Sequence, residues 1–408
     1  MKKRLLLISP GRQAGGSNLL LARISANLWR RHGYALTLVD YDDGATRDAW
    51  TKAGVQFDFF PYQEGSPICA GEADVLLMNL LSSKALPTRL SLDSRTRYVS
   101  WCTAPQDGFK FIPPAHLFNR WSWTAKKAIL RIFFRAHGAR IAGMLRGGAA
   151  RGGVIFMDEH CHEVNEALFG PGIPRALVPI CTAEPTLPPR RTHPATGKAF
   201  WVGRLADFKT ESMIAATRAL LNHPSAIREV VVIGDGGDEK TSQARLAGLA
   251  VKWRGYVPPA ALDRMIQEEA DLVFGHATAL LEAAKLGIPS LLVDATYERI
   301  PEGGLKVEWL HRCPAGYVGK IASPKAFIGR AVSECVGEFQ AEPAAIARAD
   351  HLHWLSHHHP EAVTDALARV IADGDYTYGE FIASGAARPG RLGALIEWAK
   401  ACLFRKIY

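Results

Sequence analysis

Apolar residues come in short runs broken by glycine, proline and polar clusters, and these runs alternate with stretches of helical period. Residues 4–9 form one continuous apolar run, the signature of a strand buried on both faces. Residues 17–31 carry a helical pattern, with Ser17 or Asn18 as N-cap and Gly33 beyond the end. Further strands are expected at 34–40, 55–60, 73–81, 97–102, 153–158 and 176–180. The stretch 183–198, polar and rich in proline, reads as an inter-domain linker. After it the alternation restarts, with strands at 199–202, 229–233, 252–255, 271–274 and 288–293. Helices are expected between them at 211–221, 240–250, 259–269 and 277–286. Buried strands alternating with helices imply parallel sheets covered on both faces. The expected class is therefore α/β, with two doubly wound, Rossmann-like domains facing an inter-domain cleft. The boundaries expected are 1–182 and 199–375, with a helical tail, 376–408, packing back on the first domain.

Composition narrows the class. The 408 residues are 48% apolar and 22% charged, which excludes a disordered, collagen-like or disulfide-framework chain. No apolar run reaches the ~18 residues that a spanning helix needs. The first apolar run is too short for a secretory leader, so a cytoplasmic location is expected. Seven cysteines, none in a Cys-x-x-Cys pair, read as reduced thiols rather than a zinc site.

The net charge of +9 matters less than its placement. Segment 108–157 has no acidic residue but holds Lys110, Arg120, Lys126, Lys127, Arg131, Arg135, Arg140, Arg146 and Arg151. Its nine cations account for the whole excess of basic residues. At 100° per residue Trp121, Ala125, Ala128, Ile129 and Ile132 share one helical face, with Lys127, Arg131 and Arg135 beside it. Such a helix suits an anionic membrane surface, with Lys126, Lys127, Arg131 and Arg135 as its contacts. It also suits a packed helix whose cations are merely solvated. No nucleic-acid motif accompanies it, so no nucleic-acid partner is expected.

Several loops at strand ends carry candidate chemistry. The first strand runs into Gly11, Gly15 and Gly16 before a helix, a place where backbone amides can meet an anion. The spacing is neither that of a dinucleotide fingerprint nor that of a P-loop, and it fits a plain tight turn as well. Asp40, at the end of the second strand, is only a weak match to a ribose-binding acid. In the second half, Gly203-Arg204-Leu205 is followed by Lys209, so two cations stand at a strand's carboxyl end, where they can neutralise a diphosphate. Next come Gly234-Asp235-Gly236-Gly237 after a strand, and Gly255-Tyr256-Val257 before a helix. Last comes Gly275-His276-Ala277-Thr278, followed by a helix with the single acid Glu282, then Gly287-Ile288-Pro289. Glu282 can accept both hydroxyls of a ribose, or serve as an ordinary capping acid. His353 and His357, at helical spacing in a histidine-rich stretch, lack a third ligand and read as solvated rather than as a metal site.

Taken in order, Gly-Arg-Leu-x3-Lys, strand-Gly-x-Gly, Gly-x-Val and Leu-Glu-Ala-x3-Gly-x-Pro resemble the second domain of GT-B glycosyltransferases of the retaining family 4 type, over about 200–294. The likeness is looser over 1–180. It implies a metal-independent, retaining transferase with a nucleoside diphosphate sugar as co-substrate and no other cofactor. It implies that Arg204 and Lys209 hold the diphosphate and, with Glu282, form the catalytic set. Gly203, Gly234, Gly275, His276, Ala277 and Thr278 would line the donor site, and the backbone of Tyr256 and Val257 would meet the base. Gly15, Gly16 and His116 would lie on the acceptor side. The family's second glutamate, eight positions before Glu282, is Phe274 here. The expected partners are a sugar nucleotide, a glycan or lipid-linked acceptor, and an anionic membrane surface on the cytoplasmic side. Two alternatives stay open: a sugar-nucleotide binder or scaffold without turnover, and a nucleotide-sugar epimerase on the same fold.

Overall fold

The computed structural model describes residues 2–12, 15–84, 89–113, 115–118, 121–190, 195–390 and 393–395, with the side chains of His116, Leu117 and Asp207 outside that set. The chain divides into two compact units, Met1–Ile180 with Val363–Tyr408, and Cys181–Ala362. The return to the first unit thus starts at Val363, earlier than the expected position 376.

Unit 1 begins with β1 (Arg4–Ile8), α1 (Gly16–His32), β2 (Ala35–Asp40), α2 (Ala45–Lys52), β3 (Phe57–Pro61), β4 (Val75–Asn79) and β5 (Arg97–Cys102). It continues with α3 (Trp123–Phe133), α4 (Arg135–Ala150), β6 (Val154–Phe156) and α5 (Glu159–Phe169). The strands form one parallel sheet in the order β3-β2-β1-β4-β5-β6. Leu5, Leu6, Leu7 and Ile8 are all buried, as a central strand covered on both faces requires. Helix α1 ends at Gly33, whose left-handed φ of 67° closes the last turn, and Arg30, Arg31 and His32 oppose the helix dipole there. Its N-cap is Gly15, not Ser17 or Asn18. The strand expected at 176–180 is reduced to an isolated bridge between Phe156 and Leu177.

Unit 2 runs β7 (Lys198–Val202), α6 (Thr210–Leu221), β8 (Glu229–Ile233), α7 (Glu239–Arg245), β9 (Val251–Trp253), α8 (Pro259–Glu269), β10 (Leu272–Gly275), α9 (Thr278–Lys285) and β11 (Ser290–Val293). Then follow β12 (Lys306–Trp309), β13 (Arg330–Ala331), α10 (Val332–Ala341) and α11 (Pro343–His357). The sheet order is β13-β12-β11-β10-β7-β8-β9, parallel except for the added β12 and β13. Residues alternate between its two faces: Trp201, Val232 and Phe274 join one core, and Phe200, Val231 and Val273 the other. Asp294, just past β11, is buried and accepts from the Tyr317 hydroxyl at 2.6 Å and the Lys320 amide at 2.9 Å, which ties down the long connection to β13. Asp350 of α11 likewise accepts from the Ser290 amide at 2.7 Å and from His311 Nδ1 at 2.7 Å.

From Val363 the chain rejoins unit 1 through α12 (Pro360–Asp373) and α13 (Tyr378–Ser384). Phe381 stacks on Tyr98 of β5, ring centroids 4.4 Å apart, and the Tyr98 amide donates to the Tyr376 carbonyl at 2.9 Å. Arg151 pairs with Asp375 at 2.6 Å and with Glu380. A truncation of this buried aromatic ring removes contact area and leaves a cavity. Phe381→Ala is expected to destabilise unit 1 by about 3–5 kcal/mol. Urea unfolding followed by tryptophan fluorescence measures this, and an unshifted transition would place Phe381 outside the core.

Candidate functional site

The loops that follow β7, β8 and β9 are knitted together by main-chain bonds. The Gly203 amide donates to the Ile233 carbonyl at 3.0 Å, Leu205 to Asp235 at 2.8 Å, and Gly234 to Gly255 at 2.8 Å. So close an approach excludes side chains. A Cβ on Gly234, whose φ is 129°, would lie 2.1 Å from the Gly203 carbonyl oxygen. A Cβ on Gly236 would lie 2.2 Å from that of Leu205. Gly234, expected to line a donor site, is thus required for loop-on-loop packing. Gly203 differs. A Cβ there would meet only Lys209 Nζ and Trp201 Nε1, each at 3.8 Å, so two nitrogen donors converge on an open corner.

Among the described residues, neither of these two nitrogens meets an acceptor. Lys209 is largely buried, and burial, with the nearby charge of Arg204, pushes its ammonium down to about 8. Trp201 Nε1 is buried without a hydrogen-bond partner. The His276 ring lies 5.7 Å from the Trp201 ring and 6.2 Å from that of Phe208, with neither ring nitrogen in a hydrogen bond of normal geometry. Burial first, then the charge of Lys209, holds His276 down at about 3; the Val293 carbonyl opposes this only weakly. A buried polar group left unpaired costs about 1–3 kcal/mol. Several together, beside the exposed Arg204 at a strand's carboxyl end, form an anion-binding corner.

The rest of the expected donor site is arranged less simply. Ala277 adopts φ 56°, and its amide is already committed to the Val318 carbonyl at 2.7 Å. Thr278, the first residue of α9, is exposed, as is Tyr256 at 70%, while Val257 packs on the unit 2 core. Glu282 lies on α9 and pairs through Oε2 with Lys285, which also reaches Asp263 of α8 at 3.1 Å. Lys285 is buried, and sequence reasoning missed it, although it sits one helical turn beyond Glu282. Phe274 is not a substituted loop residue. It lies inside β10, fully buried against Trp201 at 5.6 Å, and only His276 and Ala277 separate β10 from α9. So short a connection has no loop on which to present a second carboxylate.

In unit 1, Gly15 and Gly16 open α1 with free space where their Cβ atoms would stand. The side chain of His116 lies outside the described residues. Asp40 is no ribose acid. Its carboxylate is buried and takes the amides of Gly11, Tyr41, Thr46 and Arg47 at 2.8–3.2 Å, which makes it a loop staple. Lys126, expected among the membrane-facing cations, is 2% exposed. It sits 4.1 Å from the Trp123 ring centroid, and burial lowers it to about 8. The histidine stretch is partly buried rather than solvated. His353 and His357 rings lie 4.8 Å apart, and burial pushes His353 down to about 4. Among the described residues no group of three or more His, Cys, Asp or Glu side chains converges as a metal site. A cavity of about 1030 Å³ between α6 and the 299–305 loop holds none of the expected site residues.

Two helix-covered sheets, parallel but for β12 and β13, with glycine loops and cations at the strand ends of the second, make this the GT-B fold of glycosyltransferases. Solved structures show the same fold. HepE of Anabaena, in complex with UDP, is 15% identical over 91% of this chain and 99% of its own, with a TM-score of 0.55. TarM of S. aureus is 7% identical over 91% and 99%, with a TM-score of 0.55. A glycosyltransferase of Rickettsia africae is 10% identical over 93% and 99%, with a TM-score of 0.52. At these identities the likeness is one of fold. No protein-family profile matches the chain, and no curated protein matches it in sequence.

The Glu282–Lys285–Asp263 group gives a direct test of how α9 is held. Lys285→Met leaves two carboxylates without their counter-charge and is expected to destabilise unit 2 by about 3 kcal/mol. Adding Glu282→Gln and Asp263→Asn is expected to restore part of that loss. A lysine that could be removed without effect in thermal melts would show the group to be solvated.

Proposed function

We propose that this chain transfers a glycosyl group from a nucleoside diphosphate sugar to a hydroxyl of a glycan or glycolipid. One observation carries the reading: the nitrogen donors of Lys209 and Trp201 converge on one corner beside His276 and Arg204, at the carboxyl end of β7. In such a transfer the bond between the anomeric carbon and the diphosphate oxygen breaks, and charge builds on the departing diphosphate. Arg204 and Lys209 neutralise that charge, Lys209 from a largely buried position where a fixed cation acts most strongly. The acceptor oxygen bonds the anomeric carbon, and its proton leaves with the diphosphate. Glu282, held by Lys285, takes the ribose hydroxyls. Two fixed cations can do for the leaving group what a metal ion does elsewhere, which supports a metal-independent reaction. The family 4 pattern supports retention of anomeric configuration, which NMR of the product decides.

UDP bound to HepE makes the uridine nucleotide the first donor to try. The finer reading is of a membrane-associated acceptor, as in lipopolysaccharide, exopolysaccharide or lipid-linked oligosaccharide assembly, met at the inner face of the cytoplasmic membrane. The basic charge of unit 1 supports it. A second reading, a sugar-nucleotide binder without turnover, is favoured by the short β10–α9 connection, which leaves no place for a second acid. Hydrolysis of the donor without acceptor separates the two.

Calorimetry with UDP, GDP and ADP tests the site. One nucleotide is expected to bind, and Arg204→Ala/Lys209→Ala to weaken it at least a hundredfold, from about 1.5–3 kcal/mol per charge-assisted hydrogen bond. Failure of every nucleotide to bind a folded protein would end the proposal. The pH dependence follows from Lys209. In the free protein it is charged below about 8 and loses its proton above. A bound diphosphate draws the proton back. Affinity is therefore expected to be level between about pH 7 and 8, where the terminal phosphate is fully ionised, and to fall above about 8, with proton uptake on binding. An affinity flat through pH 9 would exclude Lys209 from the diphosphate site.

A further inference from the structure

The basic block of unit 1 separates, in the structure, into cations that hold the fold and cations that do not. Lys110 pairs with Asp107 at 3.4 Å, and Arg140 donates to the Arg388 carbonyl at 3.0 Å. Arg146 donates to the carbonyls of Phe169 and Pro171, and Arg151 pairs with Asp375 and Glu380. Lys126 is buried between aromatic rings. Arg120 lies outside the described residues, and what remains of the others is on α3 and the start of α4: Lys127, Arg131 and Arg135, which have no acidic partner among the described residues.

The same ridge is inverted in its apolar residues. Ile129, Leu130 and Phe134 face the core, whereas Ile132 is 70% exposed and Phe133 60%. The helical wheel placed Ile132 beside Ile129, but in the packed structure Ile129 is buried and Ile132, one turn on, is not, and α3 ends at Phe134 (φ −127°, ψ 27°). Exposing an adjacent isoleucine and phenylalanine while burying a lysine is unfavourable for a surface that meets only water. Apolar tips flanked by unpaired cations match a layer that is apolar inside and anionic at its face.

We propose that the end of α3 docks on an anionic lipid surface, with Ile132 and Phe133 entering the acyl boundary and Lys127, Arg131 and Arg135 meeting headgroup phosphates. The proposal deepens the membrane-associated acceptor reading given above, yet stands on unit 1 alone. The test is co-sedimentation of the full chain with vesicles of phosphatidylcholine, with and without phosphatidylglycerol. Binding is expected only with the anionic lipid, and is expected to weaken as salt rises. Arg131→Glu/Arg135→Glu and Ile132→Ser/Phe133→Ser are each expected to weaken it at least about tenfold. Because these side chains are exposed, melting temperature and UDP binding should not change, so a failed docking surface and a failed donor site are told apart. Absence of anionic binding at low salt would overturn the proposal. So would binding that survives both variants, or light scattering that shows the wild type to be a dimer which Ile132→Ser/Phe133→Ser dissolves, since that would make the face an interface between copies.

Discussion

The main-chain bonds that join the β7, β8 and β9 loops are the constraint on which the anion corner rests. They bring carbonyl oxygens to within about 2 Å of where a side chain would start, so Gly234 and Gly236 are demanded by geometry before any ligand is considered. The loop they clamp carries Gly203, Arg204 and Lys209. Its far side is held as well, since the Thr296 amide donates to the Phe208 carbonyl at 2.9 Å. Lys209 and Trp201 can then stay aimed at one corner although neither has an acceptor among the described residues. A loop free to relax would turn such donors to water.

Unit 2 buries charge in two ways, and the contrast assigns roles. Lys285 sits between Asp263 and Glu282, Asp294 receives a hydroxyl and main-chain amides, and Asp350 receives amides and a histidine. Each of these is satisfied within the protein and stabilises the packing of one element on another. Lys209, largely buried, has no such partner among the described residues, nor has the buried Trp201 Nε1 beside it, at a cost to folding that a purely structural residue would not carry. Glu282 belongs to both groups: its partner Lys285 fixes it in place, while its partial exposure leaves it open to a ligand.

Unit 1 applies the same sorting to a run of like charge. Self-repulsion among neighbouring cations is relieved where guanidinium groups reach carbonyl oxygens or the carboxylates of the returning α12–α13 segment. The contribution of Arg151 is therefore topological: it fastens the end of the chain to unit 1. Among the described residues of that run, the cations of α3 and the start of α4 keep their charge unspent, and apolar side chains are exposed there too.

Continuous apolar runs determined the strands by themselves, because a strand buried on both faces has one simple signature. The strand at 97–102 and the helix at 259–269 match to the residue, and Gly33 and Pro259 mark real helix ends. The order of glycines and cations was enough to point to the class of fold and to Arg204 and Lys209. What the sequence did not show depends on partners distant along the chain. The short β12 pairs with β11 and the shorter β13 with β12, pairings distant along the chain, and α2 is too short and polar to stand out by period. Phe274 counted as a missing acid by its spacing from Glu282, although the strand expected at 271–274 already contained it, and only the packed structure shows it filling the core against Trp201. The buried Lys126, the outward Ile132 and Phe133, and the Lys285 bridge were decided by how their helices pack on their neighbours. A helical wheel gives relative angles, and only the packed structure sets which angle faces the core.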